Sequence, residues 1–152
     1  MTADTVIIGL GNLYLRDEGV GVRVVRALSE RGGLPEGVET LDLGTGGLTV
    51  LHALNGRRRA VIVDCAMMGE APGAWRRFGP DEVQSRKVTM RYSLHEGDLM
   101  QTLELARKLG ECPADVRIIG IQPERVEPGE ELSPALQERF EEYVRAVAEE
   151  AG

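Results

Sequence analysis

TVIIGLGNLYLRDEGVG, residues 5–21, decides how the rest of the chain is read. Val6, Ile7, Ile8 and Leu10 form a short apolar run of the kind buried inside a sheet, and Gly9-Leu10-Gly11-Asn12 closes it with a tight turn. In dinucleotide-binding folds such a turn opens onto a helix N-terminus that holds a pyrophosphate. That use requires a small residue at the third glycine position of G-x-G-x-x-G, and here Tyr14 stands there, too bulky for close helix–strand packing. Asp17 and Glu18 follow at the mouth of the helix, where they repel phosphate and attract a cation. The segment points away from nucleotides and towards a metal.

Composition narrows the function classes. At 152 residues the chain suits a single domain spanning 1–152, and 42% hydrophobic with 28% charged residues is ordinary for a globular protein. A net charge of −7 argues against nucleic acid or an anionic membrane as the main partner. Cys65 and Cys112 make neither a metal-spacing pattern nor a disulfide framework, so both are expected to be free. The first strand begins by about residue 5, which leaves no room for an export signal, and no apolar run approaches the roughly 18 residues of a membrane span. The expected compartment is the cytoplasm.

Strand-like and helix-like segments alternate, the pattern of a three-layer α/β domain. Val20, Val24, Val25 and Leu28 predict a helix over 18–31, ending at Gly32-Gly33. A second strand is expected at 38–43, closed by the turn Gly44-Thr45-Gly46-Gly47, then a short helix carrying Leu48, Leu51 and Leu54. Ala60 to Val63 read as a third strand with Asp64 directly after it, and Ala74 to Phe78 as a short edge strand. A helix over 94–109 is capped by Gly110, Val116 to Ile121 form another apolar strand, and Ser133-Pro134 starts a helix that runs to about Glu150.

Ligands of open α/β sheets collect beyond the carboxyl ends of the strands. Glu18 follows the first strand, Asp42 ends the second, Asp64 ends the third and His95 opens the helix before the last, so all four are placed to face one crevice. Each also has a plainer reading. Acidic residues in a first helical turn complement the helix dipole, an aspartate after a strand can cap the next turn, and a lone histidine is often a packed residue. His52, among leucines, reads as structural, and Cys65 as a small core residue. Together Glu18, Asp64 and His95 make an O,O,N set suited to a borderline divalent ion such as Zn²⁺ or Ni²⁺, with positions left open for water or a partner's donor. Asp42 has a competing role as the ribose-binding acid of a nucleotide fold, which the failed glycine pattern disfavours.

Five blocks in order then resemble the endopeptidases that mature the large subunit of nickel–iron hydrogenases. They are Gly9-Leu10-Gly11-Asn12 through Asp17-Glu18-Gly19-Val20-Gly21; Asp42-Leu43-Gly44-Thr45-Gly46-Gly47; Ile62-Val63-Asp64; Ser93-Leu94-His95; and Gly120-Ile121-Gln122-Pro123-Glu124 with Leu132-Ser133-Pro134. The resemblance implies a three-layer α/β/α sandwich around a twisted, mostly parallel sheet of five strands. It implies a metal-contacting triad at Glu18, Asp64 and His95, with Asp42 implicated in activity in a less defined role. Leu43 departs from the pattern, standing where many members have a second glycine.

The implied activity is one proteolytic cut that removes a C-terminal extension from the nickel-loaded large-subunit precursor. The implied metal is the precursor's own nickel, with no ion held permanently and with zinc or cadmium able to take the same ligands. Other readings are a metal-dependent hydrolase of a small substrate, a chaperone that holds the precursor without cutting it and, more remotely, a nucleotide-binding module.

Overall fold

The apolar run of the opening segment forms β1 (Thr5–Leu10), buried along its whole length. The structure, a computed structural model, describes residues 3–45, 47–85, 89–90 and 99–152. After β1 come a single 3-10 turn (Arg16–Gly19), α1 (Val20–Arg31), β2 (Val38–Gly44), α2 (Gly47–Leu54), β3 (Arg59–Met67) and β4 (Trp75–Phe78). Then follow α3 (Pro80–Ser85), β5 (Thr89–Met90), α4 (Leu99–Lys108), β6 (Asp115–Ile121) and α5 (Pro134–Ala151).

The main sheet runs β2-β1-β3-β6-β4, with the first four strands parallel and β4 antiparallel to β6. This is the five-stranded, mostly parallel sheet expected from the sequence. The two-residue β5 adds an antiparallel pairing to the far end of β3, at Ala66 and Met67. Period-two alternation along the buried strands divides the core into two layers. Val6, Ile8, Leu10, Ile62 and Ile118 face α2 and α4, whereas Ile7, Val61, Val63, Ile119 and Ile121 face α1 and α5.

The chain steps from β1 outward to β2 through α1 on one face. It then returns past β1 to β3 through α2 on the other face. The winding direction reverses between β1 and β3, and the crevice of a doubly wound sheet opens at such a point, beyond the carboxyl ends of the two strands.

Beyond shifts of a single residue, three differences from the sequence reading stand out. The helix expected over 18–31 begins as the 3-10 turn and becomes α-helical only at Val20. The third strand does not stop at Val63. Asp64, Cys65, Ala66 and Met67 continue it, and Asp64 pairs with Gly120 inside the sheet. The helix expected over 94–109 is observed as α4, Leu99–Lys108, and positions 94–98 lie outside the described residues. The start at Ser133-Pro134 stands as read, with Ser133 at the N-cap and Pro134 in the first turn.

Leu43 has a structural consequence. β1 and β2 pair Gly9 with Asp42 and Leu10 with Gly44, so Leu43 is the extra residue of a bulge. Its side chain packs against the α2–α4 core.

Candidate functional site

Between β1 and α1 the chain folds back on itself, and glycines permit the close approaches. Gly11 has φ +130, and a Cβ there would lie 1.9 Å from the Glu18 carbonyl oxygen. At Gly21 a Cβ would lie 2.3 Å from the Val63 carbonyl and 2.7 Å from that of Leu10. The first turn of α1 is thereby pressed onto the ends of β1 and β3, immediately before Asp64. The packing glycines sit later than a dinucleotide motif would place them, and Tyr14 is free to point outward, 68% exposed.

Arg16 precedes the acid pair with φ +48, a left-handed conformation that costs a non-glycine residue roughly 1–3 kcal/mol. The turn is held from outside. Arg16 N–H donates to Gly129 O at 2.9 Å, and Asp17 N–H donates to Arg125 O at 3.1 Å.

Asp17 and Glu18 are both fully buried, but they face different tasks. The Asp17 carboxylate accepts hydrogen bonds from the N–H groups of Glu124, Arg125 and Ser133, each at 2.8 Å, and from the Ser133 hydroxyl at 2.7 Å. It clamps the 122–133 loop onto the first turn, and it draws the Ser133 hydroxyl away from the helix it precedes, which has no side-chain cap. Glu18 lies at the closed end of the same turn, with its carbonyl stacked over Gly11.

Asp64, also fully buried, accepts a 2.8 Å hydrogen bond from Cys65 N–H on Oδ1. By strand parity it shares a face with Ile62 and Ala66. The 3-10 turn carrying Glu18 packs against β3, the strand that holds Asp64. His95 lies outside the described residues.

Asp42 is not brought to the same place. Its register partner is Gly9, whose missing side chain faces Val25 of α1, so Asp42 points to the α1 face of the sheet, opposite to Asp64. There it is paired with Arg26 at 2.6 Å. The expectation that all four residues face one crevice fails here, because one step along a strand reverses the side chain.

The sequence reading assigns no role to Gln122, which lies in the 120–124 block. It is 6% exposed, and its Oε1 accepts from Met68 N–H at 2.7 Å and Glu70 N–H at 3.3 Å. It fixes the loop that leaves β3 just beyond Asp64. The available signal was an uncharged polar residue directly after the apolar strand Ile118–Ile121.

Comparison with known proteins places this geometry. The family model for hydrogenase maturation protease matches residues 22–150. The chain is 35% identical over 151 residues to the hydrogenase 2 maturation protease of Escherichia coli strain K12, covering 97% of this chain and 92% of that protein. It is also 35% identical to the hydrogenase expression/formation protein HoxM of Azotobacter vinelandii, covering 98% of this chain and 73% of that one. Among solved structures, the hydrogenase maturating endopeptidase HybD from E. coli superposes with a TM-score of 0.83 at 33% identity, over 97% of this chain and 90% of that one. With its doubly wound sheet, its glycine-packed first turn and these relatives, the chain belongs to the hydrogenase maturation protease family, a family of peptidases.

Proposed function

We propose that this chain cuts a C-terminal extension from a nickel–iron hydrogenase large-subunit precursor after nickel has been installed, with Glu18, Asp64 and His95 contacting the precursor's nickel. The observation that carries the proposal is the pair of fully buried carboxylates, Glu18 in the turn after β1 and Asp64 in the C-terminal half of β3, beside the point where the winding reverses. Two carboxylates with an imidazole suit a borderline divalent ion, and three ligands leave coordination positions for atoms the substrate already supplies. A site of this kind docks onto a metal that arrives with another protein and needs none of its own.

The cut itself is a hydrolysis. Water adds to the scissile carbonyl carbon, the C–N bond breaks, and a proton from the water passes to the leaving amine. Nickel at the site supplies Lewis acidity, polarising the carbonyl or lowering the pKa of water. Glu18 and Asp64 orient the peptide bond next to the metal, and a carboxylate within hydrogen-bonding reach of the water takes its proton. The position of Asp42 on the opposite face, held by Arg26, favours a member of the triad or metal-polarised water for that step over Asp42.

The test compares wild type and Glu18→Gln on nickel-loaded precursor, scoring both complex formation and product mass. Wild type is expected to shorten the precursor, and the variant to leave it intact with weakened binding. A precursor bound but never shortened by wild type supports the chaperone reading. Stoichiometric zinc surviving dialysis together with turnover of a small substrate supports the metal hydrolase.

A further inference from the structure

A cleft of about 550 Å³ opens on the α1 face, between the turn after β1, the length of α1 from Arg23 to Glu30, and the first half of α5 with the residues before it. Leu132 and Phe140 supply apolar lining, Tyr14 stands at the mouth, and Arg23 projects from α1. Arg23 Nε is buried and has no hydrogen-bond partner, and among the described residues its guanidinium enters no ion pair. Its neighbour Arg26 is neutralised by Asp42. An unsatisfied buried donor is destabilising, and a carboxylate received in the cleft would satisfy it.

Tyr14 makes the cleft a peptide site. It is 68% exposed, yet its backbone is fixed at both ends, because its N–H donates to Asn12 Oδ1 and its carbonyl accepts from Gly129 N–H, each at 2.9 Å. A large aromatic held out to solvent by a rigid turn gains contact area with little further loss of entropy. The chain runs from Tyr14 directly into the 3-10 turn of Glu18, so the cleft adjoins the segment that carries that proposed ligand. Glu30 and Glu130 also line the cleft and repel an acid placed anywhere but against Arg23.

We propose that this cleft binds a segment of the substrate in which one acidic side chain pairs with Arg23 and an adjacent apolar side chain packs on Tyr14, Leu132 and Phe140. The proposal rests on the precursor-processing reading above and adds to it a recognition site beyond the metal. It is tested in two arms. In the first, Arg23→Gln acting on nickel-loaded precursor is expected to raise KM about tenfold with kcat unchanged, and Arg23→Lys to restore part of the loss. An unchanged KM overturns the proposal.

In the second arm, labelled peptides tiling the carboxy-terminal third of the precursor are titrated by fluorescence anisotropy. Replacing the acidic side chains of the binding peptide by amides is expected to weaken wild type about tenfold and Arg23→Gln no further, since both changes remove the same contact. Losses that multiply, a loss that follows C-terminal amidation instead, or no binding peptide at all would each overturn it. Failure of wild type to cleave the precursor sinks the processing reading, whereas this arm reads the cleft independently of cleavage.

Discussion

Asp17 and Glu18 are adjacent, equally buried and chemically alike, yet their substitutions are expected to separate cleanly. Asp17→Asn puts an amide against donors that now point at carboxylate oxygens. At least one donor is left buried and unsatisfied, at a cost of about 2–3 kcal/mol. For a chain of this length that lowers Tm by roughly 4–10 °C, readable by calorimetry. Glu18→Gln and His95→Ala are expected to keep Tm within a few degrees while abolishing nickel-dependent cleavage. Asp42→Asn, acting from the opposite face, is expected to retain measurable cleavage. A result in which Asp42→Asn alone is inactive would move the proton-transfer step to that residue. That Glu18 lies in the turn after a buried strand was legible in the sequence. A loop-fixing task for Asp17 was legible as well, but not the loop it holds, because its partners lie more than a hundred positions away.

Between elements, α5 is tied to the turn before β4 by one buried phenol. Tyr143 donates a 2.6 Å hydrogen bond to Gly73 O, and burial pushes its pKa up to about 12. A neutral phenol is held in the fold while the unfolded chain's tyrosine ionises near its ordinary value of about 10. This contribution is therefore complete below pH 10 and is lost as pH rises from 10 to 12, amounting to roughly 2–3 kcal/mol. Tyr143→Phe is expected to be less stable than wild type at neutral pH by about 1 kcal/mol. Between pH 10 and 12 it should lose less stability than wild type, measured by urea unfolding. Equal losses over that range would place the titrating group elsewhere. At this scale the apolar periodicities disclosed most elements, because strands buried on both faces and amphipathic helices announce themselves locally. The continuation of β3 through Asp64 was hidden, since a charged residue inside a strand reads as its end. It is sustained by pairing with β6 and, at Ala66 and Met67, with β5.

For the whole molecule, the sheet order places the site. Reversal of winding between β1 and β3 opens a crevice flanked by the turn that carries Glu18 and by β3, which carries Asp64. It also leaves Asp42, two strands from Asp64, on the other face. The alternation of segments made the layers readable in the sequence, but not which side each acid occupies, because that depends on pairing between strands distant in the chain, Gly9 with Asp42 and Asp64 with Gly120. The central claim is that this crevice recognises a precursor by the nickel it carries. The most direct measurement incubates wild type with the cognate precursor, with and without nickel, and follows intact mass. Loss of one C-terminal peptide from the nickel-loaded precursor, and none from the nickel-free form, is the predicted result. Equal cleavage of both forms, or of neither, would contradict the account.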